Sequence, residues 1–113
     1  PAGLTAAYYL ALEGIAVTIF EELPVLGGEV AVGVPEYRMP ISKYNKDIEL
    51  VTSMPTVEVV TNHKVTADRL KEIYSEYDAT LLAFGTRLSK PIRCQNERPK
   101  IKGYWGAISM LDK

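Results

Sequence analysis

Pro1-Ala2-Gly3 stands directly before a helical pattern, and Glu21 closes an apolar run 18 positions after Gly3. Small residues at a helix start let backbone N–H groups approach an anion, because the helix dipole is positive there. A carboxylate at the end of the following strand can accept hydrogen bonds from a ribose. In a dinucleotide fold the glycine turn and that acid lie about 20 residues apart. Pro1-Ala2-Gly3 can therefore be the last three positions of G-x-G-P-A-G. Gly3 would serve equally well in helix–strand packing, and Glu21 as a solvated strand end. On these two features alone, nucleotide binding and plain packing are evenly balanced.

The charges sharpen the question. Before Arg38 there is no lysine or arginine, only Glu13, Glu21, Glu22, Glu29 and Glu36. A phosphate bound by this half is expected to rest mainly on backbone N–H groups and a helix dipole. Residues 87–102 reverse the sign, with Arg87, Lys90, Arg93, Arg98, Lys100 and Lys102 against Glu97. A solvated basic loop is the favoured reading of that run over a contact for an anionic partner.

Over the 113 residues, 47% are hydrophobic, 24% are charged and the net charge is −1. This composition fits one soluble domain able to bury about two-thirds of its unfolded-chain surface. It argues against a dedicated nucleic-acid binder, and no stretch approaches the ~20 apolar residues of a membrane span. Cys94, alone, cannot form an internal disulfide, cage an iron–sulfur cluster or complete a structural zinc site. Its basic neighbours could lower its pKa, but it is read as a surface thiol. His63 is the only histidine and is read as a polar loop residue. No metal site and no catalytic acid, base or nucleophile is assigned, and a reducing, cytoplasmic setting is expected.

The elements that would position these groups follow from periodicity. Residues 2–13 read as a helix with Leu4, Ala7, Tyr8 and Ala11 on one face and Gly14 as its stop. Residues 15–20 form a continuous apolar run, expected to be a parallel strand buried on both faces. Residues 23–41 hold Pro24, Gly27, Gly28, Gly33, Pro35 and Pro40 and read as one irregular, functional segment. Ser42 is expected to cap a helix over 43–53, with Tyr44, Ile48 and Val51 inward and Pro55 ending it. Val57–Val60 reads as a strand. Thr66 is expected to cap a helix in which Leu70, Ile73, Tyr74 and Tyr77 share a face. Ala79–Phe84 reads as another buried strand before Gly85, and a short helix is expected near Ala107–Leu111. This alternation implies an α/β fold with a largely parallel sheet, whose first strand, feeding the first helix, is absent. The chain is read as starting inside an element.

Two blocks are more specific. Glu21-Glu22-Leu23-Pro24-Val25-Leu26-Gly27-Gly28 and Gly33-Val34-Pro35-Glu36-Tyr37-Arg38-Met39-Pro40 resemble the FAD-binding domain of the glutamate synthase small subunit and dihydropyrimidine dehydrogenase. That family runs G-P-A-G-L-x-A-A, an acid-ended strand, P-x-x-G-G, then G-I-P-x-Y/F-R-L-P. Tyr77-Asp78-Ala79, Ala83-Phe84-Gly85-Thr86 and the segment from Gly106 to Asp112 look like its later landmarks. The resemblance covers essentially the whole chain. In place of the family's I-P-G-E loop stands Ile92-Arg93-Cys94-Gln95-Asn96-Glu97. The first two fingerprint glycines, the second NADPH-binding domain and the cysteine-rich iron–sulfur segments have no counterpart here.

The resemblance implies a single, partial, Rossmann-like FAD-binding domain spanning residues 1–113. Ala2 and Gly3 would lie against the FAD pyrophosphate, and Glu21 would hold the adenosine ribose. Leu26, Gly27, Gly28 and Glu29 would form the turn reaching the flavin-side half. Arg38 would supply a cation for the pyrophosphate or ribitol, Val65 would meet the adenine through its backbone, and Gly85 would permit close approach. In the parent, electrons would pass from NAD(P)H through FAD to iron–sulfur centres and a large-subunit-like partner. This chain alone is expected to be inactive. Two rivals stand beside it: a plain NAD(P)-binding Rossmann module, and a truncated non-enzymatic paralogue that binds a protein partner. Unpaired sheet edges could also drive self-association.

Overall fold

The computed structural model describes residues 1–111, in the order α1 (Ala2–Leu12), β1 (Val17–Phe20), α2 (Glu29–Gly33), α3 (Ile41–Thr52), β2 (Val57–Val60), α4 (Ala67–Glu76) and α5 (Ala107–Leu111). The strands pair in parallel, from Val17 opposite Val57 to Phe20 opposite Val60. Hydrogen bonding continues past them, since Glu21 N–H donates to Val60 O at 2.9 Å and His63 N–H to Glu21 O at 2.8 Å. The end of β1, where Glu21 sits, is thus fixed by backbone.

α1 ends as its sequence predicts. Gly14 takes φ +76°, its N–H donates to Ala11 O, and Ile15 N–H donates to Leu10 O, both at 3.0 Å. This paired closure satisfies carbonyls that a helix end otherwise leaves open. Ala7 and Ala11 are the buried residues of α1, and their small size lets the helix lie close to β1. Thr66 caps α4, its Oγ1 accepting from Arg69 N–H at 3.3 Å. Phe20, at the tip of β1, gathers the next layer. Its ring lies 5.1 Å from that of His63 and 6.1 Å, edge-on, from that of Tyr77, with the Arg69 guanidinium 5.8 Å from its centre.

Four expectations need correction. Ser42 does not cap α3. The helix starts two residues earlier, with Pro40 in the cap position and no side-chain cap bond. Pro40 holds φ −59° and ψ 126°, and its carbonyl accepts from Lys43 N–H at 3.0 Å and Tyr44 N–H at 3.3 Å, opening the helix through backbone. Tyr44, Ile48 and Val51 do face inward, and Val51 is buried. Residues 23–41 are not irregular throughout, because α2 forms one short turn just beyond the double glycine.

Ala79–Phe84 does not form a strand. It has no ladder partner among the described residues, and Leu81 and Phe84 are 64% and 82% exposed. A β-branched or apolar run becomes a buried strand only where a neighbour accepts its N–H groups. Nor does the chain reach the expected burial. Its surface is 8950 Å², whereas a folded monomer of this mass shows roughly 6,200 Å², so only about half of the unfolded-chain surface is buried. The radius of gyration, 17.0 Å, likewise exceeds the ~13 Å of a compact domain of this length.

The basic tail is tied down by single polar groups. The Glu97 carboxylate accepts from Ile92 N–H at 3.0 Å, from Arg93 N–H at 2.6 Å and from the Tyr104 hydroxyl. The Tyr104 hydrogen bond, followed by the two backbone donors, holds the Glu97 carboxyl below its ordinary range against some desolvation. Ser89 Oγ accepts from Ile108 N–H at 3.2 Å and so caps α5 from a distance. Gly106 lets it approach, since a Cβ there would lie 2.4 Å from that of Ser89. Cys94 is exposed, as expected. Asp112, the last residue of the expected Gly106–Asp112 landmark, lies outside the described residues.

Candidate functional site

The start of α1 carries no side-chain cap and no acid in its first turn. Thr5 N–H is satisfied by Pro1 O at 2.9 Å. The N–H groups of Ala2, Gly3 and Leu4 are the orphan donors that any helix start presents, with the positive end of the dipole behind them. Gly3 also meets the segment leading to Gly85, a Cβ at Gly3 falling 3.6 Å from Ala83 Cβ. Both readings of Gly3 are thus geometrically open: close packing and access for an anion.

The double-glycine turn arches toward this helix start. Gly28 takes φ +59°, and a Cβ on it would lie 3.9 Å from Pro1 Cδ. The turn therefore lies against Pro1, the residue in the cap position of α1. Gly27, at φ +112°, does something the sequence did not suggest. A Cβ there would fall 1.1 Å from the Tyr44 hydroxyl, which donates to Leu26 O at 2.6 Å. Gly27 is shaped to receive Tyr44 from α3. Burial first, and the Glu21 charge second, push the Tyr44 phenol above its ordinary value. Tyr44 thus bears on both the turn and the acid.

Glu21 lies half-buried at the end of β1. Its Oε1 accepts from Leu23 N–H at 2.9 Å, which folds the chain sharply after the strand and leaves Oε2 without a protein partner among the described residues. His63 lies in the loop after β2, as expected, and is half-buried there. Its backbone holds Glu21 O, and its buried Nε2 has no hydrogen-bond partner. Val65 is half-buried in the segment that follows. Gly85 adopts φ +65° with open space around it.

The cations are arranged differently from expectation. Arg38 is exposed at the outer end of the loop, its guanidinium 5.9 Å from the Tyr37 ring centre. Arg87 enters the acidic half instead. Its Nε lies 3.3 Å from Glu29 Oε1 and its Nη1 4.0 Å from Glu22 Oε1. Glu29 is thereby engaged with Arg87. Neither Tyr44 nor Arg87 carried a sequence signal for this role, because one was part of a helix face and the other one charge among many. Beside the turn, Leu26, Val30, Val34, Met39 and Ile48 help line an apolar cleft of about 470 Å³ between α2 and α3, within the size range of small-molecule pockets.

A parallel strand pair flanked by helices, an acid closing the first strand and glycines over a helix start together define a nucleotide-binding α/β fold. Residues 1–40 match the NAD(P)-binding Rossmann-like domain family. The chain is 42% identical to the NADPH-Fe(3+) oxidoreductase subunit beta of Geobacter sulfurreducens, over 98% of this chain and 17% of that protein. It is 40% identical to the NADP(+)-dependent formate dehydrogenase subunit beta of Moorella thermoacetica, over 96% of this chain and 15% of that protein. With the glutamate synthase [NADPH] small chain of Escherichia coli (strain K12) it shares 32% identity, over 98% of this chain and 23% of that protein. The chain is thus a Rossmann-like segment related to subunits of NADPH-dependent oxidoreductases, and the likeness to the glutamate synthase small chain is borne out. It spans between about a seventh and a quarter of the length of these relatives. No helix among the described residues is long and apolar enough to cross a membrane.

Proposed function

We propose that this chain is a single FAD-binding segment of an NAD(P)H-dependent oxidoreductase subunit, in which flavin relays electrons to iron–sulfur centres of a partner. The observation that carries the reading is the approach of the Gly27–Gly28 turn to the uncapped start of α1, with Glu21 at the end of the adjoining strand. These groups fit a dinucleotide. Ala2, Gly3 and Gly28 offer backbone donors to its pyrophosphate, and Glu21 Oε2 is available to a ribose hydroxyl. FAD, when bound, supplies the redox chemistry, and the chain's residues bind and orient it. No residue is assigned as acid, base or nucleophile.

The exposed apolar residues Leu81, Leu82, Phe84, Leu88 and Ile92 suit a chain that packs against further protein. The relatives' names as beta subunits or a small chain support a subunit role, with an iron–sulfur or large-subunit-like partner. A second reading, a segment binding NADP(H) itself, draws on the matched family's description and on the cofactors in the relatives' names. Absorption spectroscopy of the purified protein, followed by separate titrations with FAD and NADPH, separates the two. Copurified flavin, or saturable quenching of FAD fluorescence weakened by Glu21→Ala, supports the first reading. Saturable NADPH binding with no FAD binding replaces it with the second, and no binding of either by a folded sample overturns both.

A further inference from the structure

The first 37 residues carry five glutamates and no cation, yet the geometry asks their neighbourhood to receive a diphosphate. Glu29 is the residue after Gly28 and the first of α2, so its carboxylate belongs to the same turn that approaches Pro1. Glu22 follows Glu21 at the end of β1. Unopposed, both would act on an anion at the start of α1, because charges several ångströms apart interact substantially where protein displaces water. Arg87 opposes both, its Nε 3.3 Å from Glu29 Oε1 and its Nη1 4.0 Å from Glu22 Oε1, with only 23% of its side chain exposed. The absence of a side chain at Gly33 leaves room for Glu29 Oε2, which a Cβ there would approach to 3.0 Å.

We propose that Arg87 is a positioning residue for the dinucleotide diphosphate: its guanidinium holds Glu22 and Glu29 and cancels their charge beside the start of α1. This rests on the dinucleotide reading above and departs from the expectation that Arg38 is the cation of the site. Arg87 reaches the turn from two residues beyond Gly85, so it also ties the end of β1, the start of α2 and the Gly85 segment together. Its action on the ligand is indirect, through the two carboxylates.

Titration of the intact protein with ADP-ribose and with FAD tests this, since both contain the same diphosphate. Arg87→Ala is expected to weaken both roughly tenfold at low salt, and the loss should shrink as ionic strength rises and the Debye length shortens. Arg87→Lys should retain most of the affinity. Adding Glu29→Gln to Arg87→Ala should recover most of the loss, which a purely structural role for Arg87 would not allow. If Arg87→Ala does not fold, Glu29→Gln with Arg87 intact decides the matter: binding should tighten, and weaker or unchanged binding overturns the proposal. Wild-type binding with an unaltered Arg87→Ala overturns the role of Arg87 alone. A folded wild-type protein that binds neither ligand overturns this proposal and the dinucleotide reading together.

Discussion

The Tyr44 hydroxyl sits where a side chain on Gly27 would have to be, 1.1 Å from the position of its Cβ. Because the same hydroxyl donates to Leu26 O, the double-glycine turn is held from beneath by α3. The turn's shape is therefore a property of two segments that are distant in sequence.

Gly27→Ala should accordingly destabilise the fold by at least about 2–3 kcal/mol, through overlap with Tyr44 and a positive φ that an L-residue resists. Tyr44→Phe should cost about 1 kcal/mol by removing one hydrogen bond. Urea denaturation of Gly27→Ala, Tyr44→Ala and the pair should show non-additive losses, since the two side chains compete for one space.

Thr66→Ala should cost about 1 kcal/mol, because the Arg69 N–H loses its acceptor at the start of α4. Thr66→Ser should restore most of it. Thermal unfolding followed by circular dichroism is the measurement.

The tail should respond to pH at both ends. The folded Glu97 carboxyl is held below its ordinary 4.5. Its contribution is present above that value and is lost as pH falls through the lowered one. The Tyr104 phenol, hydrogen-bonded to Glu97, lies above its ordinary 10.0. Its contribution is present below 10.0 and is lost as pH rises through the raised value. Trp105 fluorescence across this range should change at each end, and Glu97→Gln should remove the acid transition.

Leu82, Phe84 and Leu88 are exposed close together in the chain, and unpaired apolar backbone invites strand pairing between molecules. Sedimentation velocity should show self-association in the isolated chain, reduced by Phe84→Ser with Leu82→Asp.

The sequence was legible where local chemistry decides the outcome. Gly14 ended α1, Thr66 capped α4, and the short apolar run 57–60 paired as β2. The α2 turn was hidden by the glycines and prolines around it, and Pro40 displaced Ser42 because its backbone carbonyl opens the helix without any side-chain bond. Ala79–Phe84 has the composition of a strand, but a strand is completed by a neighbour, which composition cannot supply. In the candidate site, Gly3 and Glu21 carried a spacing signal along one helix and one strand, and Gly28 was reached through the resemblance of its double-glycine block. Tyr44 and Arg87 were not, since each reaches the site from a remote part of the chain.

The two strands meet in register across 40 positions, Val17 with Val57. Each strand is only four residues long, so few ladder bonds reward closure of so long a loop. Such a contact is expected to form late, after α1 and α3 have supplied apolar surface to fold upon. Refolding should therefore be slower than for a helical chain of equal length. A newly made chain would hold Glu21, the acid proposed to bind a ribose, in solvent until that pairing is complete.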